Sequence, residues 1–333
     1  MKELDVEQLD TLDRQITAAL VRNGRAPWRL IAEVLGQQER TVARRGNRLL
    51  ETAAVRINAF INPAAVSSRT AFLLRVQAIP SELRQVCSWL ADQDECSWVS
   101  ALSGANEAVA GMFLDPGGLA ELLYHRMAAV GGIQSFAMMP LFDYFRTPSG
   151  WTPNVLTKQQ YAALHPDEDG HLAGIANGRQ PLDETSRTLA MLLHNKGRAT
   201  LDELASELSV SKATVSRRLD VMTSTGVLYI RAVVDLQAFG FPVESLITIT
   251  CSGASTRALG EYVASLPVTR WAAASGEQLV AQVAVANLED LGLVLSDLQN
   301  RDDVGTARSS IYAEVFKRST LRYYDGMIQE SSE

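Results

Sequence analysis

An internal repeat limits what this chain can fold into more than any other feature of its 333 residues. The segment LDTLDRQITAALVRNGRA, which begins at Leu9, aligns with LDETSRTLAMLLHNKGRA, which begins at Leu182. The alignment continues without a gap as far as Ser67 and Gly240, and beyond that its register slips by only one or two residues. A repeat that spans nearly the whole chain predicts two copies of one architecture, joined by a connector.

The composition is that of a globular protein. Apolar residues make up 47% of the chain and charged residues 21%, which excludes wholesale disorder, collagen and coiled coil. The formal charge of -7 argues against a generally basic surface, so any contact with DNA must be local. Cys87, Cys96 and Cys251 are odd in number and form no C-x-x-C pair, which favours buried thiols in a reducing compartment over a disulfide framework or a zinc site.

Membrane and targeting signals are not apparent in the sequence. No apolar run reaches the length of a membrane span, and the first residues, MKELDVEQLD, lack the basic and apolar stretches of a signal peptide. We therefore expect a cytoplasmic protein that does not associate with membranes.

Each copy opens with three helical patterns. In the second copy, the first pattern ends near Gly197, which suits the left-handed position past a helix end. The second pattern begins with a capping box from Thr200 to Glu203, and the third has Ser211 as its cap. Apolar residues recur at helical spacing along all three: Leu189, Leu192, Leu193, Leu204, Ala205, Leu208, Val215, Leu219 and Met222. Two short helices that meet at a tight turn predict a helix-turn-helix.

Strand patterns and a connector complete the organisation. VRINAFIN and VLYIRAVVD are rich in branched and aromatic residues and occupy the position of a wing after each third helix. The stretch between the copies is rich in Pro, Gly and acids, with one short helix expected after Thr157. The expected boundaries are 1–62 and 181–236 for the winged helix-turn-helix domains, 63–146 and 237–325 for the domains that follow them, and 147–180 for the linker.

The outer faces of the two third helices are the candidate DNA-reading surfaces. Stepping 100° per residue from Val42 and from Val215 places the opposite residues outward. Arg contacts guanine and Asn contacts adenine in the major groove, so these side chains could read bases. An ordinary solvated helix face is the alternative. The predicted DNA-binding residues are Arg40, Thr41, Arg44, Arg45, Asn47, Arg48, Ser211, Lys212, Thr214, Ser216, Arg217 and Arg218.

The third helix of the first copy carries one unfavourable residue. Gly46 stands where the second copy has Leu219. This replacement removes a core side chain and roughly 1 kcal/mol of helix propensity. We expect that helix to be the weaker of the two.

The run from Leu182 to Asp235 resembles the DNA-binding half of the Lrp/AsnC family of feast/famine transcriptional regulators, element for element, and the first copy is similar but looser. The resemblance implies a winged helix-turn-helix followed by a ferredoxin-like βαββαβ domain that dimerises and often binds an amino-acid effector. The remaining patterns alternate strand, helix, strand, strand, helix, strand in both copies. The expected fold class is therefore α+β, with two winged helix-turn-helix domains, each followed by a ferredoxin-like domain.

The resemblance also implies a possible effector site at a glycine turn between the second and third strands of each ferredoxin-like domain. The corresponding residues here are Ser103, Gly104 and Asn106, and Ser275, Gly276 and Gln278. Both copies lack the acidic residue that the family carries a few positions later. The alternative is that each glycine only permits a hairpin turn with positive φ.

These observations favour a transcriptional regulator that binds double-stranded DNA as a single-chain pseudo-dimer, without cofactor, metal or enzymatic activity. A small-molecule effector and homo-oligomerisation through the ferredoxin-like domains belong to this hypothesis. Two alternatives stay open. Siroheme decarboxylases have a similar architecture, but their His- and Arg-rich stretch reads SSRTAFLLRV and FPVESLITIT here, without histidine. A scaffold that has lost DNA binding in one copy is the other.

Overall fold

The computed structural model describes residues 9–104, 106–164, 181–251, 255–324 and 327–328. Across these ranges, no helix combines the length and the apolar character that a bilayer crossing requires. The predicted α+β class, with two helix-turn-helix units and two ferredoxin-like units, is confirmed.

The first copy runs through residue 146. Its helix-turn-helix unit consists of α1 (Thr11–Arg22), α2 (Trp28–Leu35), α3 (Glu39–Glu51) and strand β1 (Val55–Ile61). A single turn, α4 (Pro63–Val66), leads into β2 (Thr70–Ala78), α5 (Leu83–Asp92), β3 (Cys96–Leu102) and β4 (Glu107–Leu114). The second expected helix is irregular: α6 (Leu119–Glu121) continues as a π-helical turn (Leu122–Arg126) and a 3-10 turn (Met127–Ala129). Strands β5 (Ile133–Leu141) and β6 (Asp143–Arg146) follow.

The second copy repeats these elements. It contains α8 (Glu184–Asn195), α9 (Leu201–Glu207), α10 (Lys212–Ser224), β7 (Leu228–Val234), β8 (Val243–Cys251), α11 (Thr256–Ser265), β9 (Thr269–Ser275), β10 (Gln278–Val285), α12 (Leu288–Gln299) and β11 (Val304–Arg318). Two short strands, β12 (Leu321–Tyr324) and β13 (Met327–Ile328), extend it. From α1 to β3, most elements begin and end at positions equivalent to those of the second copy.

The connector packs against the first copy. Its short helix, α7 (Lys158–Leu164), follows Thr157 as predicted. Trp151, Tyr161 and Leu164 are buried in one core with α1, α2 and α3. The side-chain amide of Asn23 at the end of α1 donates to the carbonyl of Leu164 (3.0 Å). Helix α7 is therefore a structural element of the first helix-turn-helix unit, whereas Trp151 also packs against Phe239 and Phe241 of the second copy.

The strands that follow the third helices pair with each other. Strand β1 runs antiparallel to β7, from Val55 opposite Val234 to Ile61 opposite Leu228. Each wing strand thus belongs to a two-stranded sheet shared by the two copies, with one strand from each. The pairing joins the two helix-turn-helix units directly.

Two glycines allow a close approach at this junction. The N–H of Gly24 donates to the carbonyl of Ile230, and the N–H of Gly197 donates to the carbonyl of Ile57, both at 3.1 Å. A Cβ on Gly197 would lie 2.3 Å from the carbonyl oxygen of Ile57. The predicted left-handed conformation of Gly197 is wrong, because the φ angle of this glycine is not positive. Its role is to admit the strand of the other copy.

The ferredoxin-like strands form one continuous path, β5-β2-β4-β3-β11-β8-β10-β9-β6, which divides at β11 into one sheet for each unit. Each last strand crosses to the other unit: β11 pairs with β8 up to Ile311 and then with β3 from Tyr312, while β6 continues from β5 and pairs with β9. An apolar layer fills the space between the sheets, where the rings of Trp98 and Trp271 lie 6.0 Å apart. Helices α5, α11 and α12 cover the outer faces.

Candidate nucleic-acid interface

Helices α3 and α10 occupy the position of recognition helices, and each has 13 residues. In α10, Ser211 caps the N-terminus by accepting a hydrogen bond from the N–H of Thr214 (3.1 Å), as predicted. Gln38 precedes α3 without a capping side chain. The preceding helix of the second copy, α9, begins with the predicted capping box between Thr200 and Glu203. The second unit therefore has better-capped helices than the first.

The core side chain that Gly46 lacks is supplied by Trp28. A Cβ at Gly46 would lie 2.4 Å from the ring of Trp28, so the indole occupies this space. The equivalent pair in the second copy is Leu201 and Leu219. The first copy therefore lacks the side chain of Leu219, as predicted, but a larger residue on α2 fills its space, and the expectation that α3 is the weaker helix stays a prediction.

The structure exposes most of the predicted contact residues. Val42 and Val215 are fully buried, so the opposite faces of their helices point outward. The exposed predicted residues are Arg40, Arg44, Asn47, Arg48, Ser211, Lys212 and Arg217, while Thr41, Arg45, Thr214, Ser216 and Arg218 are half-buried. These positions make both faces accessible, and their role in DNA binding stays a prediction.

Two of the predicted arginines in α3 bind carboxylates at the start of α1. Arg45 contacts Asp10 (2.5 Å) and Asp13 (3.0 Å), and Arg48 contacts the other oxygen of Asp13 (2.5 Å). Asp10 caps α1 by accepting from the N–H of Asp13, and this bond together with Arg45 lowers the pKa of Asp10. Arg45 and Arg48 therefore hold α3 against α1, whereas Arg40, Arg44 and Asn47 are exposed and stay the predicted base-reading residues.

The second copy keeps only part of this arrangement. Arg218 contacts both oxygens of Asp183 (2.7 and 2.9 Å) and the hydroxyl of Ser186 (2.8 Å). The hydrogen bond from Arg218, followed by that from the N–H of Ser186, lowers the pKa of Asp183 to about 2. Lys212 is paired with Asp202 on α9 (2.8 Å). In the second copy a single carboxylate, Asp183, binds the arginine of the third helix, whereas Asp10 and Asp13 share this role in the first copy.

The two outer faces differ in charge. The α3 face presents Arg40 and Arg44 beside Asn47. The α10 face presents Arg217 beside the carboxylate of Asp220, which accepts a long hydrogen bond from Ser216 (3.5 Å). The outer face of α3 is therefore the more positively charged of the two.

The predicted effector residues lie at two hairpin turns. Gly104 has a φ of 85° and Gly276 a φ of 58°, so both glycines adopt the turn conformation that the alternative interpretation requires. Ser103, Asn106 and Gln278 are exposed, and Ser275 is half-buried. Their assignment to an effector stays a prediction.

The interpretation that both copies lack an acidic residue after the glycine is wrong for the first copy, because Glu107 lies three positions after Gly104. Glu107 is buried and forms two hydrogen bonds with the guanidinium of Arg75 (2.5 and 2.8 Å). This bonding raises the pKa of Arg75. The carboxylate of Glu107 is already neutralised, so it does not provide a free partner for an amino-acid ligand.

A cavity of about 180 Å³ lies between the shared β1–β7 sheet and the ferredoxin-like sheets. No pattern within one copy indicates this cavity, because its walls come from both copies. Its lining includes Arg231 inside the otherwise apolar strand β7, together with Arg270 and Arg318 near the ends of β9 and β11. An arginine within a strand pattern was the one sequence signal of this site, because a buried charge needs a partner.

Comparisons with known proteins agree with the helix-turn-helix assignment. The model of the AsnC-type helix-turn-helix domain matches residues 9–50, and a second helix-turn-helix model matches residues 185–246. An uncharacterised HTH-type transcriptional regulator of Pyrococcus abyssi is 30% identical over 130 residues, which cover 38% of this chain and 82% of the relative. An HTH-type transcriptional regulator of Mycobacterium tuberculosis is 28% identical over 134 residues, covering 39% and 90%.

A solved structure resembles almost the whole chain. The siroheme decarboxylase NirDL superposes with a TM-score of 0.59 at 12% identity, over 95% of each chain. Its complex with an iron-uroporphyrin III analogue gives 0.57 at 14% identity, over 93% of this chain and 92% of that one. At this identity the likeness concerns the fold alone.

Proposed function

The chain belongs to the AsnC-type family of helix-turn-helix transcriptional regulators, to which Lrp also belongs, and on this basis we propose that it binds specific DNA sites as a single-chain pseudo-dimer. The observation that carries the proposal is the exposure of the outer faces of α3 and α10, while the strands after these helices pair and fix the two units to each other. Two linked recognition helices could enter successive major grooves, roughly 34 Å apart.

The two halves of the binding site should differ in sequence. Arg40, Arg44 and Asn47 offer guanine and adenine contacts, whereas α10 offers Arg217 beside Asp220. We expect an imperfect palindrome with unlike half-sites. Selection of sites from random DNA tests this expectation, and a perfectly symmetric consensus would contradict it.

DNA binding itself can be measured directly. A gel-shift with the full chain and the DNA upstream of its own gene, at low and at high salt, should give a complex that survives an excess of unrelated DNA. Loss of the complex to equal amounts of specific and unrelated DNA would argue for charge attraction without sequence recognition.

Assembly of several chains is part of the proposal. The described surface of α12 carries two exposed apolar side chains, Leu288 (62%) and Leu293 (65%), on a ferredoxin-like unit. Apolar residues at such positions favour contact with a further copy. Sedimentation of the full chain at several concentrations tests this, and a monomer at all concentrations would contradict it.

The enzyme alternative rests on the fold shared with the siroheme decarboxylase. Among the described residues that line the cavity there is no Asp, Glu, His or Cys. The lining tyrosines, Tyr144 and Tyr229, have pKa values raised by burial, so they hold their protons at neutral pH. Lys317, whose pKa is lowered by burial, donates to the carbonyl of Gln93 (2.8 Å). With its ammonium held there, this lining supports binding over proton-transfer catalysis. Tight binding in a Soret absorbance titration with siroheme would restore the enzyme hypothesis.

A further inference from the structure

The cavity between the two parts of the molecule has an aromatic lining. Phe60 of β1 and Tyr229 of β7 form part of one wall, and Trp98, Tyr144 and Trp271 of the ferredoxin-like sheets contribute to the other. Both copies supply each wall, so the cavity is formed only in the folded whole chain. Such lining suits a flat apolar group.

Positive charge in the lining exceeds the available negative charge. Arg231, Arg270 and Arg318 are all buried, with 5 to 8% of their surface exposed. Glu244 is the one carboxylate that forms ion pairs with them in the described parts of the chain; it binds Arg318 (2.6 Å) and, more weakly, Arg270 (3.3 Å). Three guanidinium groups therefore share one carboxylate. The lining contains a fourth buried cation, Lys317, whose ammonium donates to the carbonyl of Gln93 (2.8 Å).

Arg231 has no carboxylate partner among the described residues. Its guanidinium donates to the hydroxyl of Ser319 (2.5 Å) and to the carbonyl of Ala232 (3.3 Å), and it lies 4.9 Å from the ring centre of Phe60. Neutral oxygens do not compensate for a buried positive charge. Burial, followed by repulsion from Arg270, lowers the pKa of Arg231 to about 9. Arg231 is still charged at neutral pH.

The surplus of buried charge, the aromatic lining and the size together define a ligand class. An engineered cavity of roughly 150 Å³ holds a benzene molecule, so about 180 Å³ accommodates one ring with a short acidic substituent. Guanidinium groups bind carboxylates with paired, charge-assisted hydrogen bonds. We propose that this cavity is a binding site for a small aromatic carboxylate, with Arg231 as its principal charge partner.

The location gives this site a regulatory consequence. One wall belongs to the sheet that joins the two helix-turn-helix units, and the other belongs to the ferredoxin-like units. A ligand that contacts both walls would fix the DNA-binding units relative to the rest of the molecule. This consequence rests on the proposed DNA-binding function, whereas ligand binding itself does not. The site is also separate from the glycine turns that contain Gly104 and Gly276.

Thermal unfolding of the full chain tests the binding site without DNA. The probes are benzoate, phenylacetate and phenylpyruvate, with benzamide and phenylacetamide as neutral counterparts of the first two. At least one carboxylate should raise Tm by roughly 5 °C near saturation, and the amides should not. No response to any of the three carboxylates, or an equal response to an amide, would overturn the proposal.

Variants assign the effect to Arg231. In Arg231→Gln the response to the carboxylate should disappear, while Tm without ligand should stay equal or rise, because an uncompensated charge is removed. Arg126→Gln is the matched control, since Arg126 pairs with Glu95 (2.7 Å) outside the cavity lining, and it should keep the full response. A retained response in Arg231→Gln would contradict the assignment.

A second measurement covers the case in which Arg231→Gln does not fold. Because Trp98 and Trp271 line the cavity, the carboxylate that raises Tm should change the tryptophan fluorescence of the unmodified protein in a saturable way, and the amide should not. Absence of saturation would overturn the proposal. A gel-shift in parallel separates the proposal of DNA binding from that of carboxylate binding. DNA binding can persist when ligand binding fails, and ligand binding can persist when DNA binding fails.

Discussion

The two helix-turn-helix units have nearly the same backbone, yet different side chains hold them together. Helices α3 and α10 have the same length and equivalent ends. In the first unit two arginines contact two carboxylates of α1, and a tryptophan fills the space above a glycine. In the second unit one arginine, one carboxylate and a pair of leucines serve the same purposes. The comparison shows that a duplicated fold is conserved through pairs of compensating residues rather than through single positions.

The junction between the copies offers the largest expected effect. A Cβ on Gly197 would meet the backbone of Ile57 at 2.3 Å, and a Cβ on Gly24 would meet the backbone of Ile230 and Arg231 at 2.9 Å. Gly197→Ala should therefore lower the free energy of unfolding by about 3 kcal/mol or more, and Gly24→Ala by less. Urea unfolding measures both.

Gly292→Ala in α12 is the control for this pair. A Cβ there would have no neighbour within 4 Å, so the helix should gain up to about 1 kcal/mol. If Gly24→Ala and Gly197→Ala lower the free energy of unfolding equally, the two halves of the junction do not differ in how tightly they pack.

The packing pair on α2 and α3 predicts a smaller effect that a second substitution reverses. Gly46→Leu places a side chain where the ring of Trp28 lies, 2.4 Å from a Cβ, and should cost about 2 to 3 kcal/mol of unfolding free energy. The double variant Trp28→Leu/Gly46→Leu recreates the Leu201/Leu219 pair and should recover at least half of that loss.

Additive losses in the double variant would show that the two positions do not compensate for each other. A double-mutant cycle by urea unfolding gives the coupling energy. The single variant Trp28→Leu completes the cycle, and it should also be destabilised, because it leaves unfilled space above Gly46.

Local signals in the sequence predicted much of this molecule, and long-range contacts account for what they missed. Helix ends followed from local chemistry, as with the cap at Ser211 and the capping box that begins at Thr200. Gly197 was misjudged because the strand that approaches it comes from the other copy. No pattern within one copy indicates such a partner.

The candidate sites divide in the same way. Periodicity alone placed Arg40 and Arg44 on an exposed face. It could not predict which carboxylates bind Arg45, because Asp10 lies 35 residues away along the chain. The cavity around Arg231 depends on the pairing of β1 with β7 and on the crossing of β11, so only the assembled fold reveals it.

On DNA, one substitution in each recognition helix tests the difference in charge. Arg44→Ala should weaken binding by about 1 to 3 kcal/mol at one half-site and relax its sequence preference, with the other half-site unchanged. Arg217→Ala should act on the opposite half-site and by less, because Asp220 lies on the same exposed face. Gel-shifts on DNA in which one half-site at a time is changed measure both effects. If the two variants lose affinity for the same half-site, the two helices do not recognise different sequences.

Acid pH should reveal the smallest difference between the units. The pKa of Asp183 is about 2 in the folded chain, below its ordinary 3.8, because Arg218 and the N–H of Ser186 bind its carboxylate. A lowered folded pKa means that the stabilisation is complete above pH 4 and is lost as the pH falls from about 4 to about 2. Asp183→Asn keeps an N-cap and removes the charge. Its deficit in Tm relative to the unmodified protein should therefore shrink across that interval.

In the first unit Asp13 still binds Arg45 when Asp10 is neutral, so Asp10→Asn should show a smaller deficit at neutral pH. A deficit for Asp10→Asn as large as that for Asp183→Asn would mean that the second carboxylate adds nothing to the first unit.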